Sequence, residues 1–359
     1  MRFPPVTLKT HRFVALDGMR GVAAIAVLLF HVLATDRAWI FPSGGLAVDF
    51  FFILSGFVIA YAYEDRLIHG FSKRRFVIAR LIRLYPLIVA GAVLGFIGYY
   101  KIYSRPELSL AFITGLLLLP SPLSPQSEGG MAIAINPPSW SLSFEIIINL
   151  IYMLIVRYLS NRLLVLILIV SALALIATIF AFDGATFGSQ WSDFVLGFAR
   201  VSFPFFAGVA VYRLWAAGAL SSIGVPWFVV FGVLLAAFQI PQVPGLSAAT
   251  DALVIVLVFP VIVALGSKVT LNTTGAAICN LLGELSYPIY ILQGGIVHHL
   301  RELPHKFGLS GASYYIFIAA GILIYLAGCW IALKVYDEPV RRFLTERLRF
   351  GRPISTFGP

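Results

Sequence analysis

The sequence predicts an all-α fold: a polytopic integral membrane helix bundle of about ten transmembrane helices, with both termini cytoplasmic. Three observations predict it. Of 359 residues, 60% are hydrophobic and only 12% are charged. With a mean hydropathy of +0.93, that balance excludes an ordinary soluble domain. Apolar runs long enough to cross a bilayer recur along the chain, and basic residues gather between alternate runs, as the positive-inside rule expects. The net charge of +10 reads as the same bias, so no nucleic-acid partner is expected. Cys279 and Cys329 lie in apolar runs, without a disulfide or metal-ligand pattern, and no metal is expected.

Taken in order, residues 1–13 are basic, contain Pro4 and Pro5, and read as a cytoplasmic tail. The first span covers about Leu16 to Ala34. It carries charge and has no small-residue cleavage site behind it, so it reads as a retained span. The second covers about Leu46 to Tyr63. The most basic segment, Arg66 to Arg83, leads into a third span ending near Tyr103. The next run, Leu108 to Leu119, is about 12 residues, whereas a helix needs about 20 to cross. Were it to cross, every later loop would change sides and the basic C-terminal tail would be exported. It is therefore expected to be re-entrant or interfacial, beside an external Pro/Ser-rich loop, Pro120 to Pro138. Further spans are expected at about Ser139–Val156, Leu163–Phe182, Phe194–Trp215, Pro226–Ile240, Ala249–Leu265, Gly283–Leu300 and Ser313–Val335. A single membrane domain over 14–343 and a basic cytoplasmic tail at 344–359 complete the division.

Ionisable groups inside spans are costly and commonly mark function. Arg20 and His31 are eleven residues apart, close to three helical turns, so they share one face with about 16 Å of rise between them. By depth, His31, Asp49, Glu145 and Arg200 are expected in one layer about 5–10 Å below the outer surface, on four helices. A second layer on the cytoplasmic side holds Arg20, Arg80 and Arg83, with Glu284, Glu338, Arg341 and Arg342 at similar depth. Arginines there are suited to phosphates, which they bind in bidentate fashion. His31 is the natural general base near neutral pH, and Asp49 could orient its imidazole.

The motifs themselves are informative. LDGMRGVAAIAVLLFH at 16–31, GGLAVDFFFILSGFVIA at 44–60 and RRFVIARLIRLYP at 74–86 occur in that order. SWSLSFE at 139–145, LGELSYPIYIL at 282–292 and DEPVRRF at 337–343 follow. Together they resemble the membrane-bound acyltransferase 3 family over about residues 13–343. Two departures stand out. Gln293 occupies a position where relatives often carry histidine, and Ile146 follows Glu145 where many carry a second carboxylate.

The resemblance implies an acyltransferase in the bacterial cytoplasmic (inner) membrane. It would use acyl-coenzyme A, most often acetyl-CoA, as donor and a saccharide or glycolipid hydroxyl as acceptor. It implies His31 as the catalytic histidine, with Arg20 in the same motif. By their depth, Asp49 and Glu145 are added as catalytic candidates, and Arg20, Arg80 and Arg83 as candidates for binding the donor. Arg200, Ser141 and Trp140 are the candidates for the acceptor side. Ser55 and Ser141 could also serve simply in helix packing. The same buried charges would suit a second class of function, a proton-coupled transporter or flippase for a glycolipid or polysaccharide precursor.

Overall fold

The computed structural model describes residues 11–33, 40–100, 104–121, 130–220 and 224–348. The first ten positions, the 122–129 part of the Pro/Ser-rich loop and the tail from 349 onward lie outside the described residues. The described chain is helical, with one isolated antiparallel bridge between Met131 and Gln190.

Helix α1 (Val14–Leu33) is followed by α2 (Ala47–Ile68), α3 (Lys73–Tyr99) and α4 (Arg105–Leu116). Next come α5 (Ser139–Ile155), α6 (Asn161–Ala181), α7 (Gly197–Ala216) and α8 (Trp227–Phe238). Helix α9 (Ser247–Leu253) runs through a widened π turn into α10 (Phe259–Gly266). Helices α11 (Thr273–Ile291) and α12 (Gln293–Lys306) are bent by 75° at their junction. Helix α13 (Gly311–Ile331) passes through a second π turn into α14 (Glu338–Arg347). Seven of these stretches are long and apolar enough to cross a membrane, and the bent α11–α12 pair would be an eighth. The shorter α5 and α8 are apolar too.

Side-chain pairings fix the helix directions. Glu64 of α2 meets Tyr152 of α5 and Arg213 of α7. Nearer the other end, Ser55 meets Glu145 and Asp49 meets Arg200, so α2, α5 and α7 run parallel. Leu84 and Gly91 of α3 face Tyr287 and Ile291 of α11. Gly18 and Gly21 of α1 face Cys279 and Leu282 of α11. Helices α1, α3 and α11 are therefore parallel to one another. They oppose the first set, since Phe13, at the start of α1, meets Phe57 and Tyr61 of α2 while Phe30 lies by Gly44. Since α3 and α5 point in opposite directions, the chain makes no net crossing between them. Helix α4, with 12 residues and a length of about 18 Å, stays at one end, as its shortness led us to expect. Its start is set by a capping box, Ser104 with Glu107. Both ends of the described chain come to the same, basic end of the bundle, where Arg12, the Lys73–Arg75 run and Arg341 lie.

Glycine determines which helices pack closest. A Cβ on Gly21 would meet the Leu282 carbonyl, and one on Gly283 would lie 2.7 Å from the Asp17 Cβ. A Cβ on Gly56 would strike the Phe205 carbonyl oxygen, and one on Gly208 the Ile53 carbonyl oxygen. Small residues let backbones touch where lipid offers no hydrophobic drive to associate. The outward faces are apolar, with Leu166, Ile169, Val170 and Leu173 of α6 and Ile316, Leu323 and Ile324 of α13 all exposed. Such a surface suits hydrocarbon and would be a liability in water. Cys279 and Cys329 are free and buried.

Candidate active site

The expected span at Gly283–Leu300 is in fact broken after Leu292, and this break builds one half of the site. Helices α1 and α11 form two parallel rails. At the basic end, Arg20 donates from Nε to Ser286 Oγ and from Nη2 to the Gly283 carbonyl, both at 2.8 Å. At the far end, His31 Nδ1 lies 3.4 Å from Gln293 Oε1, just past the bend. The predicted separation along α1 is thus matched by anchor points on α11 and at the start of α12.

Around Arg20 the structure gathers a cluster of arginines. Arg83 is within Coulombic reach of Arg20, Arg80, Arg341 and Glu145. Arg80 donates to Glu145 Oε1 at 2.8 Å, and Ser55 Oγ donates to the same oxygen at 3.1 Å. Arg341 pairs with Asp337 at 2.9 Å, while Asp17 lies 3.7 Å from both Arg12 and Arg20. Five arginines thus face three carboxylates. Arg80 Nε and Arg341 Nε are buried donors without a hydrogen-bond partner. Such donors are costly when left unmade. A cluster with surplus positive charge and unused N–H groups is suited to an anion rich in oxygen acceptors.

Glu145 corrects the expected layering, for it sits with the arginines and not at the level of His31. The cause lies just upstream. The 132–136 segment folds into the bundle, with Ile133, Ile135 and Asn136 all buried. Helix α5 therefore begins below the surface, and six residues further Glu145 is already at the depth of Arg80.

Asp49 is corrected in its partner. Arg200 donates to it from Nε at 2.9 Å and from Nη2 at 2.7 Å. The remaining contacts of Arg200 go to the Phe187 carbonyl at 3.1 Å and the Gly45 carbonyl at 3.2 Å. The carboxylate is completely buried and the guanidinium nearly so. Asp49 therefore does not orient His31. Arg200, expected to handle the acceptor, instead ties α2 and α7 to the 183–190 loop. The ring of Trp140 lies against its guanidinium, 5.4 Å to the ring centroid. Ser141 Oγ is 2.8 Å from Tyr290 Oη, whose hydroxyl also donates to the Pro138 carbonyl. Ser141 therefore joins α5 to α11 close to the bend.

Residue-by-residue reasoning missed Ser286, Tyr290 and the partnership of Gln293 with His31. Their signal was present in the LGELSYPIYILQ stretch, since Gly283, Ser286 and Gln293 fall where a parallel α11 would meet Arg20 and His31. Nothing local announces that two helices about 260 residues apart run side by side.

The profile of the acyltransferase-3 family, described as an acyltransferase domain, matches residues 13–334. The chain belongs to this family and is a membrane acyltransferase. It is 39% identical over 160 residues to "Protein 2 in picA locus" of Rhizobium radiobacter, a match covering 39% of this chain and 81% of that protein. It is 26% identical over 342 residues to the exopolysaccharide production protein ExoZ of Rhizobium meliloti, covering 90% of this chain and 98% of ExoZ. Acyltransferase MdmB of Streptomyces mycarofaciens is 32% identical over 152 residues, 37% of this chain and 36% of MdmB. No solved structure matches the chain.

Proposed function

We propose that this acyltransferase moves an acyl group, most simply acetyl, from cytoplasmic acyl-coenzyme A to a hydroxyl of an extracytoplasmic or lipid-linked saccharide. The observation that carries this reading is the α1 rail, with Arg20 in the arginine cluster and His31 eleven residues further along. Arg20, Arg80, Arg83 and Arg341 would hold the donor's phosphates, and the unused donors of Arg80 and Arg341 fit that task. The bound thioester would supply the activated carbonyl. His31 would take the proton of the acceptor hydroxyl. The expectation of a proton-coupled transporter rested on the same buried charges, and family membership favours transfer. The name of ExoZ, which matches over nearly its full length, supports a saccharide acceptor.

The positive-inside rule would put the basic end in the cytoplasm of a bacterial inner membrane. A cysteine replacing Ser310, at the far end, should then react with an impermeant maleimide from outside the cell. One replacing Ser160 should not, and the reverse result would invert the orientation. The test of function compares the masses of surface saccharides from cells with and without the gene. An acetyl-sized loss on deletion, restored by the wild-type chain, is expected; identical masses would sink the saccharide reading.

A further inference from the structure

Gln293 is one of the most thoroughly buried polar residues of the chain, at 1% exposure. It begins α12 just beyond the 75° bend. A helix end leaves carbonyls without intrahelical partners. One carbonyl near the end of α11, that of Tyr290, accepts the Gln293 Nε2–H at 2.9 Å. This bond decides which way the amide points, because the flipped amide would set oxygen against oxygen. The amide oxygen is therefore the atom that faces His31 Nδ1. An amide oxygen only accepts, so Nδ1 must carry the hydrogen. A neutral imidazole has a single N–H, which leaves Nε2 with the free lone pair.

We propose that Gln293 is a positioning residue that holds His31 as its Nδ1–H tautomer and so presents Nε2 to the acceptor hydroxyl. The inference rests on the acyl transfer proposed above. In that step Nε2 takes the hydroxyl proton while the hydroxyl oxygen bonds to the thioester carbonyl carbon. The carbon–sulfur bond then breaks, and the proton passes from Nε2 to the departing thiolate. Atoms and charge balance without a further reagent. An amide suits this place because it sets the tautomer without burying another charge. The carboxylate that might have done the same work, Asp49, is committed to Arg200. The bend matters as well. Had α11 continued straight, the Tyr290 carbonyl would have been taken up by the backbone ladder, and nothing would fix the direction of the amide.

The test uses the full chain with ¹⁵N-labelled histidine in detergent micelles at mildly alkaline pH. The chain has six histidines, and the His31 signals are those lost in His31→Ala. Label transfer from acetyl-CoA to the endogenous acceptor is followed in permeabilised membranes. Wild-type His31 should be protonated at Nδ1. In Gln293→Met the proton should move to Nε2. The maximal rate should then fall about tenfold or more, a part of the 10²–10⁴-fold that general-base catalysis contributes, with KM for acetyl-CoA unchanged. A wild-type His31 protonated at Nε2 would overturn the proposal. So would a Gln293→Met protein with an unchanged maximal rate. Transfer at the wild-type rate by His31→Ala would remove His31 as the base, an outcome separate from the tautomer read in the spectra.

Discussion

Two pairs of parallel helices, α1–α11 and α2–α7, are built alike and used differently. Both approach closely through glycines, Gly21 and Gly283 in one pair, Gly56 and Gly208 in the other. Both carry ionisable side chains within apolar sequence. In α2–α7 those charges answer each other, Asp49 with Arg200 and Glu64 with Arg213. In α1–α11 the hydrogen bonds that cross between the helices go to neutral groups: Arg20 rests on a carbonyl and a hydroxyl of α11, with Asp17 of its own helix 3.7 Å away, and His31 faces an amide just past the bend. The first pair spends its charges on architecture. The second gives its cross-helix hydrogen bonds to a cation and an imidazole.

That contrast can be broken by substitution, and the largest effect belongs to the α1–α11 pair. His31→Ala should lower acyl transfer by about 10²–10⁴-fold, while the protein inserts and purifies at wild-type yield. Near wild-type transfer would end its claim to the chemistry. Next in size is the α2–α7 pair. Arg200→Leu leaves the Asp49 carboxylate buried alone and should destabilise the protein by about 3–5 kcal/mol, read as a lowered melting temperature in detergent. The double variant Asp49→Leu/Arg200→Met should recover most of that loss. A stable double variant as inactive as His31→Ala would instead return Asp49 to the chemistry, the role that its expected depth suggested.

A smaller effect is expected from the glycine contacts. Gly56→Ala should cost about 1–3 kcal/mol through overpacking. Gly232→Ala on α8, where an added Cβ meets nothing within 4 Å, should not destabilise. Equal melting temperatures for the two would show that the α2–α7 approach is not set by Gly56. The smallest effect concerns donor affinity. Arg80→Lys keeps the charge but loses the planar fork, and should raise KM for acyl-CoA up to about tenfold, or 1.4 kcal/mol, with the maximal rate little changed. A fall in maximal rate with KM fixed would move Arg80 out of donor binding.

Much of this was legible in the sequence. The Arg20–His31 spacing follows from helical geometry alone, and the non-crossing α4 from its length. The alternation of basic segments anticipated that both ends of the described chain lie together. What failed were inferences of depth and partner. The depth of Glu145 was counted from a helix start assumed to lie at the surface, and the buried 132–136 segment moves that start inward. Asp49 was assigned to His31 because both were expected in one layer. The choice between His31 and Arg200 depends on which helices touch, and distant glycines decide that. Gln293 looked like the loss of a titratable group, because its value lies in the direction of its amide. That direction exists only once α11 is bent.

The parallel α1–α11 pair also bears on how the molecule is made. Arg20 and His31 enter the membrane with the first helix, yet Gly283, Ser286 and Gln293 are synthesised more than 260 residues later. Contacts so distant in sequence form late. Throughout most of synthesis an arginine and a histidine sit in a nascent bundle without their final partners. The candidate site is therefore among the last parts of the protein to assemble, and a chain stopped before α11 lacks the second rail altogether. On the function proposed above, catalytic competence would wait for α11 to be made.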